Sequence, residues 1–361
     1  STDGFRINST LPRVKATAKK GSLDYNGDWS KDALTVTLEY VNKEGSNDLV
    51  GTFQKYQYSI DNGKNWANVA TNSYFSVSGS GTTPTLTFKN TTSQNFIFRA
   101  AITNRTDSKT ASETTAVNIK IDTEKPKVEE PVLTGTPVTT NNGYAIYGAQ
   151  PTLTVDAKDP EVSGLMDGKT DNFASGLKSQ KYKLKSSDTT AKDYTGPLAM
   201  KDGKYEFNFT ATDNAGNEAS TTEKKFIVDT MVPNAPETEA KAGAVIYNGS
   251  WTADSVTITA KTKDTITPLS GYNGNGIQYA LYKDGELKQD WKDYNGTSVT
   301  IEALENGSND GSWSVCFKVV TNAGHESAQS VVNVNIQKTA PTISVGVSGT
   351  CSEGADAQPA W

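Results

Sequence analysis

Acidic side chains are the first place to look for chemistry in this chain. Asp156-Ala-Lys-Asp159 and the acids from Asp167 to Asp171 share one polar stretch, and Asp213-Asn214 begins a later turn. Calcium takes roughly six to eight oxygen ligands, which carboxylates gathered near a linker could supply. The linker acids Asp122 and Asp229, however, have no counterpart at Gln337, and no run has the spacing of a twelve-residue calcium loop. The acids and asparagines therefore read as ordinary turn formers, and no metal or other cofactor is expected. A single histidine, His325, leaves no Ser-His-Asp or Cys-His arrangement to build, and it reads as an exposed loop residue. The paired carboxylates of glycoside hydrolysis would need a strand-end cluster in a cleft, and neither is readable here. An inward Lys–Asn pair with an adjacent acid, the requirement for an intramolecular isopeptide bond, is not identifiable either. No catalytic residue is assigned, and the chain reads as non-enzymatic.

Aromatic side chains offer a second kind of chemistry, that of contact. Tyr272, Tyr282, Trp291 and Tyr294 fall in or beside loops. With the glycine-rich Gly271-Tyr-Asn-Gly-Asn-Gly276 they could stack on a sugar or anchor a protein surface. They are the candidate ligand-binding set; the competing role is that Trp291 and Tyr294 close the end of a core. Trp29 and Trp251 read as structural, because the same turn surrounds both. Cys316 and Cys351 are too few for a disulfide framework. Cys316 lies one residue off an inward register and is expected to face outward or toward an edge.

Positioning such residues falls to strands. Thr, Val, Ser, Asn, Asp and Gly are abundant, while long runs of helix formers at helical spacing are absent. Three landmarks recur. The turn and alternating strand Tyr25-Asn-Gly-Asp-Trp29-Ser-Lys-Asp32-Ala-Leu-Thr-Val-Thr37 returns as Tyr247-Asn-Gly-Ser-Trp251-Thr-Ala-Asp254-Ser-Val-Thr-Ile-Thr259, with a looser copy from Tyr147 to Val155. Tyr58-Ser-Ile60, Tyr182-Lys-Leu184 and Tyr279-Ala-Leu281 each place bulky groups on one strand face. Phe96-Ile-Phe98-Arg-Ala100, Tyr205-Glu-Phe207-Asn-Phe209 and Trp313-Ser-Val315-Cys-Phe317 have the period of a strand half-buried against an opposing sheet. Each unit closes on a last strand and a proline. Pro126, Pro233 and Pro341 lie 107 and 108 residues apart, close to the ~100 residues of one sandwich.

The motifs Tyr56-Gln-Tyr58-Ser-Ile-Asp61-Asn-Gly63-Lys-Asn-Trp66 and Ala211-Thr-Asp-Asn-Ala-Gly-Asn217 resemble those of bacterial immunoglobulin-like repeats in surface proteins of Gram-positive bacteria. The resemblance implies an all-β fold: tandem immunoglobulin-like β-sandwiches arranged end to end. The expected organisation is residues 1–12 as the end of a preceding repeat and 13–126, 127–233 and 234–341 as three repeats. Residues 342–361 would begin a following one. Such repeats serve as stalks, adhesins, antibody-binding proteins and modules beside glycoside hydrolases, so the resemblance implies a surface or secreted location. It also implies a partner that is a host protein, immunoglobulin included, or a glycan. Ala100, Phe209 and Phe317 align with the second cysteine of antibody domains, so packing must replace that bridge. The net charge of −6 without a basic face argues against nucleic acid. No apolar run approaches the ~18 residues of a bilayer span.

Overall fold

The computed structural model describes residues 11–49, 51–104, 107–110, 114 and 116–343. Cys351 and most of the two terminal segments expected to belong to further repeats lie outside them. The chain groups into two compact bodies. One comprises residues 1–135, 151–200 and 204–226, the other 136–150, 201–203 and 227–361. The line between them passes through the middle repeat, so each body is described by itself. Among the described residues, no helix is long and apolar enough to cross a membrane.

In the first body, alternation along Leu34–Val41 turns Leu34, Val36 and Leu38 inward and leaves Thr and Glu outward. This strand pairs with Arg13–Lys20 on one side and Thr85–Phe88 on the other, setting Leu34 opposite Phe88 and Val36 opposite Leu86. The facing sheet is built on the long strand Thr92–Asn104, flanked by Thr52–Ser59 and Val117–Ile121. Phe96, Phe98, Ala100, Ile119 and Ile121 from this sheet meet the first across one fully buried core. This is the immunoglobulin-like sandwich that the aromatic period predicts, closed by packing where antibody domains use a disulfide. The middle repeat repeats the device. Phe207, Phe209 and Ala211 are buried on Gly203–Asp213, and Tyr194 meets Phe209 edge-on at 5.5 Å.

One element of this body departs from the sequence reading. The acid-rich stretch around Asp167 forms a hairpin, Val162–Met166 and Lys169–Phe173. Its turn, Asp167-Gly168, takes left-handed φ values of 47° and 78°, the requirement of a tight hairpin turn. The hairpin joins the sheet of the first repeat, with Thr92 opposite Leu165 and Ser93 opposite Met166 in parallel register. Gln94, itself buried, accepts a hydrogen bond from the Gly168 amide at 2.6 Å. Gly164 is required here, because a Cβ would come within 2.9 Å of the Thr91 carbonyl oxygen and closer still to the Phe173 ring. Phe173 in turn packs beside Trp29, with ring centroids 6.1 Å apart.

In the second body, the hairpin Thr139–Asn141 and Tyr144–Tyr147 turns on Asn142-Gly143. The third repeat is a complete sandwich. Val245–Ile246, Glu237–Ala242, Val256–Lys261 and Val299–Ile301 form one sheet in that order; Glu286–Asp293, Tyr272–Lys283, Gly311–Thr321 and Ser330–Ile336 form the other. Val256, Ile258 and Ile301 face Val315, Phe317, Val319, Val334 and Ile336. Two expectations fail here. Trp251 is 57% exposed; the turn it shares with Trp29 recurs, but among the described residues no hairpin supplies it with a partner such as Phe173 gives Trp29. Cys316 is buried, not outward, between Ala280 and Val331 on the flanking strands. Burial pushes its thiol pKa up, and among the described residues it has no disulfide partner.

Candidate functional site

The four aromatic residues singled out from the sequence do not form one platform. Tyr294 is a core residue, 2% exposed, edge-on to Phe317 at 5.9 Å, its hydroxyl bonded by the Ala260 amide. It cannot meet a ligand, which corrects its place in the candidate set. Tyr272 packs against the same core, and its hydroxyl donates to Asp264 at 2.9 Å. Burial, then the hydrogen bond to Asp264 and the Asp264 charge, raises its pKa. Tyr282 is half-buried, across from Leu287 and Ser314. Trp291 is half-buried too, with the Lys318 ammonium 4.4 Å from its ring centroid. That ammonium also pairs with Glu326 at 2.7 Å. Trp291 and Tyr282 remain as outward aromatic groups, on neighbouring strands.

The structure concentrates its buried polar chemistry elsewhere, at the two linkers. Asp122 follows the inward Ile121 and is fully buried. Its amide donates to the Ser30 carbonyl, and its carboxylate accepts from the Glu124 amide at 3.0 Å and the Ser175 amide at 2.8 Å. Asp159 accepts through Oδ2 from the Gly176 amide at 2.7 Å and the Ser175 hydroxyl at 3.2 Å. Asp213, fully buried at the end of its strand, accepts from the Gly216 and Asn217 amides and the Asn217 side chain. Asn217 then donates to the Asp122 carbonyl at 2.9 Å, and Asn214 to the carbonyls of Ser175 and Gly176. One oxygen from each of Asp122, Asp159 and Asp213 lies within 4.8 Å of the others.

Three carboxylates therefore converge from three separated segments, where the sequence reading had them as independent turn formers. Among the described residues no lysine or arginine pairs with any of them. The Asp159 carboxyl is held above its ordinary range, chiefly by burial. The charges of Asp122 and Asp213 add to this, against the hydrogen bonds from Gly176 and Ser175. Its Oδ1 is shut off from solvent and has no hydrogen-bond partner.

The second linker uses the same frame with different side chains. Asp229, 1% exposed, accepts from the Met231 amide at 3.2 Å and the Ser270 amide at 2.8 Å, as Asp122 does from Glu124 and Ser175. Asn322 donates to the Ser270 carbonyl, as Asn214 does to that of Ser175. At the place of Asp213 stands Thr321, whose hydroxyl accepts from the His325 amide. His325 takes the place of Asn217, with Nε2 2.9 Å from the Gly148 carbonyl and 3.2 Å from the Asp229 carbonyl. Both partners are acceptors, so Nε2 carries the proton. His325 is thus a half-buried linker residue, not an exposed loop residue. Gly148 is fixed by this contact, since a Cβ there would sit 2.3 Å from the Ala323 carbonyl oxygen.

Both linkers could have been found by aligning the chain with itself. Ala174-Ser-Gly176 matches Leu269-Ser-Gly271, and Asp213-Asn-Ala-Gly-Asn217 matches Thr321-Asn-Ala-Gly-His325. Residues 139–230 match the family model of the bacterial Ig-like domain. Most of the middle repeat is thus similar to a bacterial Ig-like domain. The linker frame just described begins and ends this Ig-like domain, with Asp122 ahead of it and Asp229 at its close. Ig-like repeat domains are in general non-catalytic. No curated protein matches the chain. Similar solved structures include a 1.5-MDa bacterial ice-binding adhesin, at 13% identity and a TM-score of 0.31 over 92% of this chain and all of that one. The fibronectin(III)-like modules of Clostridium thermocellum CbhA match at 10% identity and 0.26, over 57% and 94%. The FN1–FN3 domains of chicken CNTN1 match at 12% and 0.27, over 91% and 99%.

Proposed function

We propose that the chain is a non-catalytic segment of a bacterial surface stalk, with repeats 13–126, 127–233 and 234–341, and that the stalk presents a ligand-binding face. The observation that carries the reading is the construction of the linkers. Each linker aspartate is buried and bound by amides from the segment that follows it, so the joint is built as part of the fold. A flexible tether would leave such carboxylates in water. The stalk reading places the chain outside the cell and asks for a partner: a host protein, with immunoglobulin one case, or a mucin-type glycan.

The binding face we assign is the outer surface of the third repeat at Trp291 and Tyr282. Trp291 keeps part of its ring open and is oriented by Lys318; a fixed, half-exposed indole is a common anchor for sugars and protein surfaces. Immobilised chain is to be tested against immunoglobulin and mucin-type glycans. Trp291→Ala is expected to weaken binding by at least ~2 kcal/mol, roughly thirtyfold, with little change in melting temperature. Binding that survives Trp291→Ala unchanged would remove this face from the account. A chain that binds neither ligand class would reduce the segment to a spacer.

A further inference from the structure

We infer that the first repeat carries a second ligand-binding face, at Trp66 and Arg99, and that it takes a carboxylated sugar. The inference rests on the proposed reading of Trp291 as an anchor and extends it by strand register. In the third repeat Gln278 stands opposite Asp293 on one side and Lys318 on the other, and Trp291 lies two residues before Asp293. In the first repeat Gln57 stands opposite Asn68 and Arg99, and Trp66 lies two residues before Asn68. Trp66 and Arg99 therefore occupy the positions of Trp291 and Lys318. Their contact is the same as well. The Arg99 guanidinium lies 4.0 Å from the Trp66 ring centroid, as the Lys318 ammonium lies 4.4 Å from that of Trp291. Alternation turns Tyr56 and Tyr58 into the core and Lys55 and Gln57 outward, so this face is the outer surface of its sheet.

The middle repeat shows that the fold does not require this pair. Lys181 stands opposite Asp193 and Thr210 in the same register, so Ala191 and Thr210 replace the indole and the cation. A Lys181–Asp193 ion pair at 2.8 Å fills the place, and Phe207 and Phe209 beneath remain fully buried. The indole–guanidinium pair is thus an addition to the sandwich, and its charge indicates what it takes. In the third repeat Lys318 is neutralised by Glu326 at 2.7 Å. Among the described residues no carboxylate pairs with Arg99, nor with Lys55 on the same face. Asp61, the acid of the adjoining turn, is held by the Ser59 hydroxyl and by the amide and side chain of Asn65. Arg99 donates through Nε to the Gln57 side chain at 3.1 Å; the remaining fork of a guanidinium matches a carboxylate with two parallel hydrogen bonds. The Gln57 and Asn68 side-chain amides, joined at 3.4 Å, are of the kind that bonds sugar hydroxyls. The half-buried indole supplies a surface for a sugar ring to stack on. A neutral sugar would use the indole and the amides and leave the guanidinium unused.

The whole chain, labelled with ¹⁵N, is titrated with sialyllactose, with a hyaluronan tetrasaccharide and with lactose, and the tryptophan indole N–H signals are followed. The Trp66 signal, identified by its loss in Trp66→Phe, is expected to shift. At least one of the two acidic sugars should bind at least ~10-fold more tightly than lactose, and more weakly as salt is raised. Arg99→Gln is expected to weaken that sugar at least ~10-fold. Arg99→Lys, which keeps the charge and loses the fork, should weaken it roughly threefold, and it keeps the test open should Arg99→Gln fail to fold by near-ultraviolet circular dichroism. Trp291→Ala should leave acidic-sugar binding unchanged. Binding of sialyllactose alone or of the hyaluronan fragment alone tells a sialic from a uronic acid, and either supports the site. Equal affinity for lactose, affinity unchanged in a folded Arg99→Gln, or no binding of either acidic sugar at about 10 mM would overturn it. So would acidic-sugar binding that is lost in Trp291→Ala. Failure of the third-repeat reading would appear separately, as desialylated mucin-type glycan that binds Trp291→Ala as well as it binds the parent chain.

Discussion

Phe317→Ala is expected to destabilise the third repeat by about 3–5 kcal/mol. The ring is fully buried between the two sheets, against Tyr279 at 6.0 Å and Tyr294 at 5.9 Å. Truncation removes transfer free energy and leaves a cavity that flanking β-strands, fixed by their ladders, cannot close. Phe317 also occupies the position where an antibody domain would have its bridging cysteine, so no covalent link limits the damage. Denaturant unfolding of the variant, fitted with an unchanged slope, measures the loss. A change below ~1 kcal/mol would mean that the two sheets do not depend on this contact.

Asp229→Ala is expected to cost about 2–4 kcal/mol, because it orphans the Ser270 and Met231 amides together with the Ser270 hydroxyl. Asp229→Asn, which keeps one carbonyl acceptor, should recover about half of that. The pair of variants separates hydrogen bonding from bulk. Equal losses would show that the carboxylate is not held as described, and thermal unfolding of both reads this directly.

The sandwiches were legible because strand alternation is local. Val36, Phe98, Phe209 and Phe317 announce an inward face from their own neighbours, and the prolines mark where ladders end. The Asp167-Gly168 hairpin carried a local signal too, the Asp-Gly turn, but its polar flanks hid the strands that dock on Thr92 and Ser93. The linker sites were not legible from position alone. Asp122, Asp159 and Asp213 are separated by whole strands, and only the folded chain brings them within 4.8 Å. His325 read as a loop residue because its partners, the Gly148 and Asp229 carbonyls, are backbone atoms that no side-chain pattern reveals. Tyr294 misled for a related reason. It lies beside an Asn-Gly turn yet aims into the core, where Phe317 and the Ala260 amide hold it.

The claim on which the account turns is that the linkers are structured joints. Backbone ¹⁵N relaxation of residues 122–125 and 229–232 tests it most directly. The account predicts order parameters near ~0.85 for both linkers, as high as in the strands that precede them. Values below ~0.6 at either linker would contradict it and make the repeats a loosely tethered string.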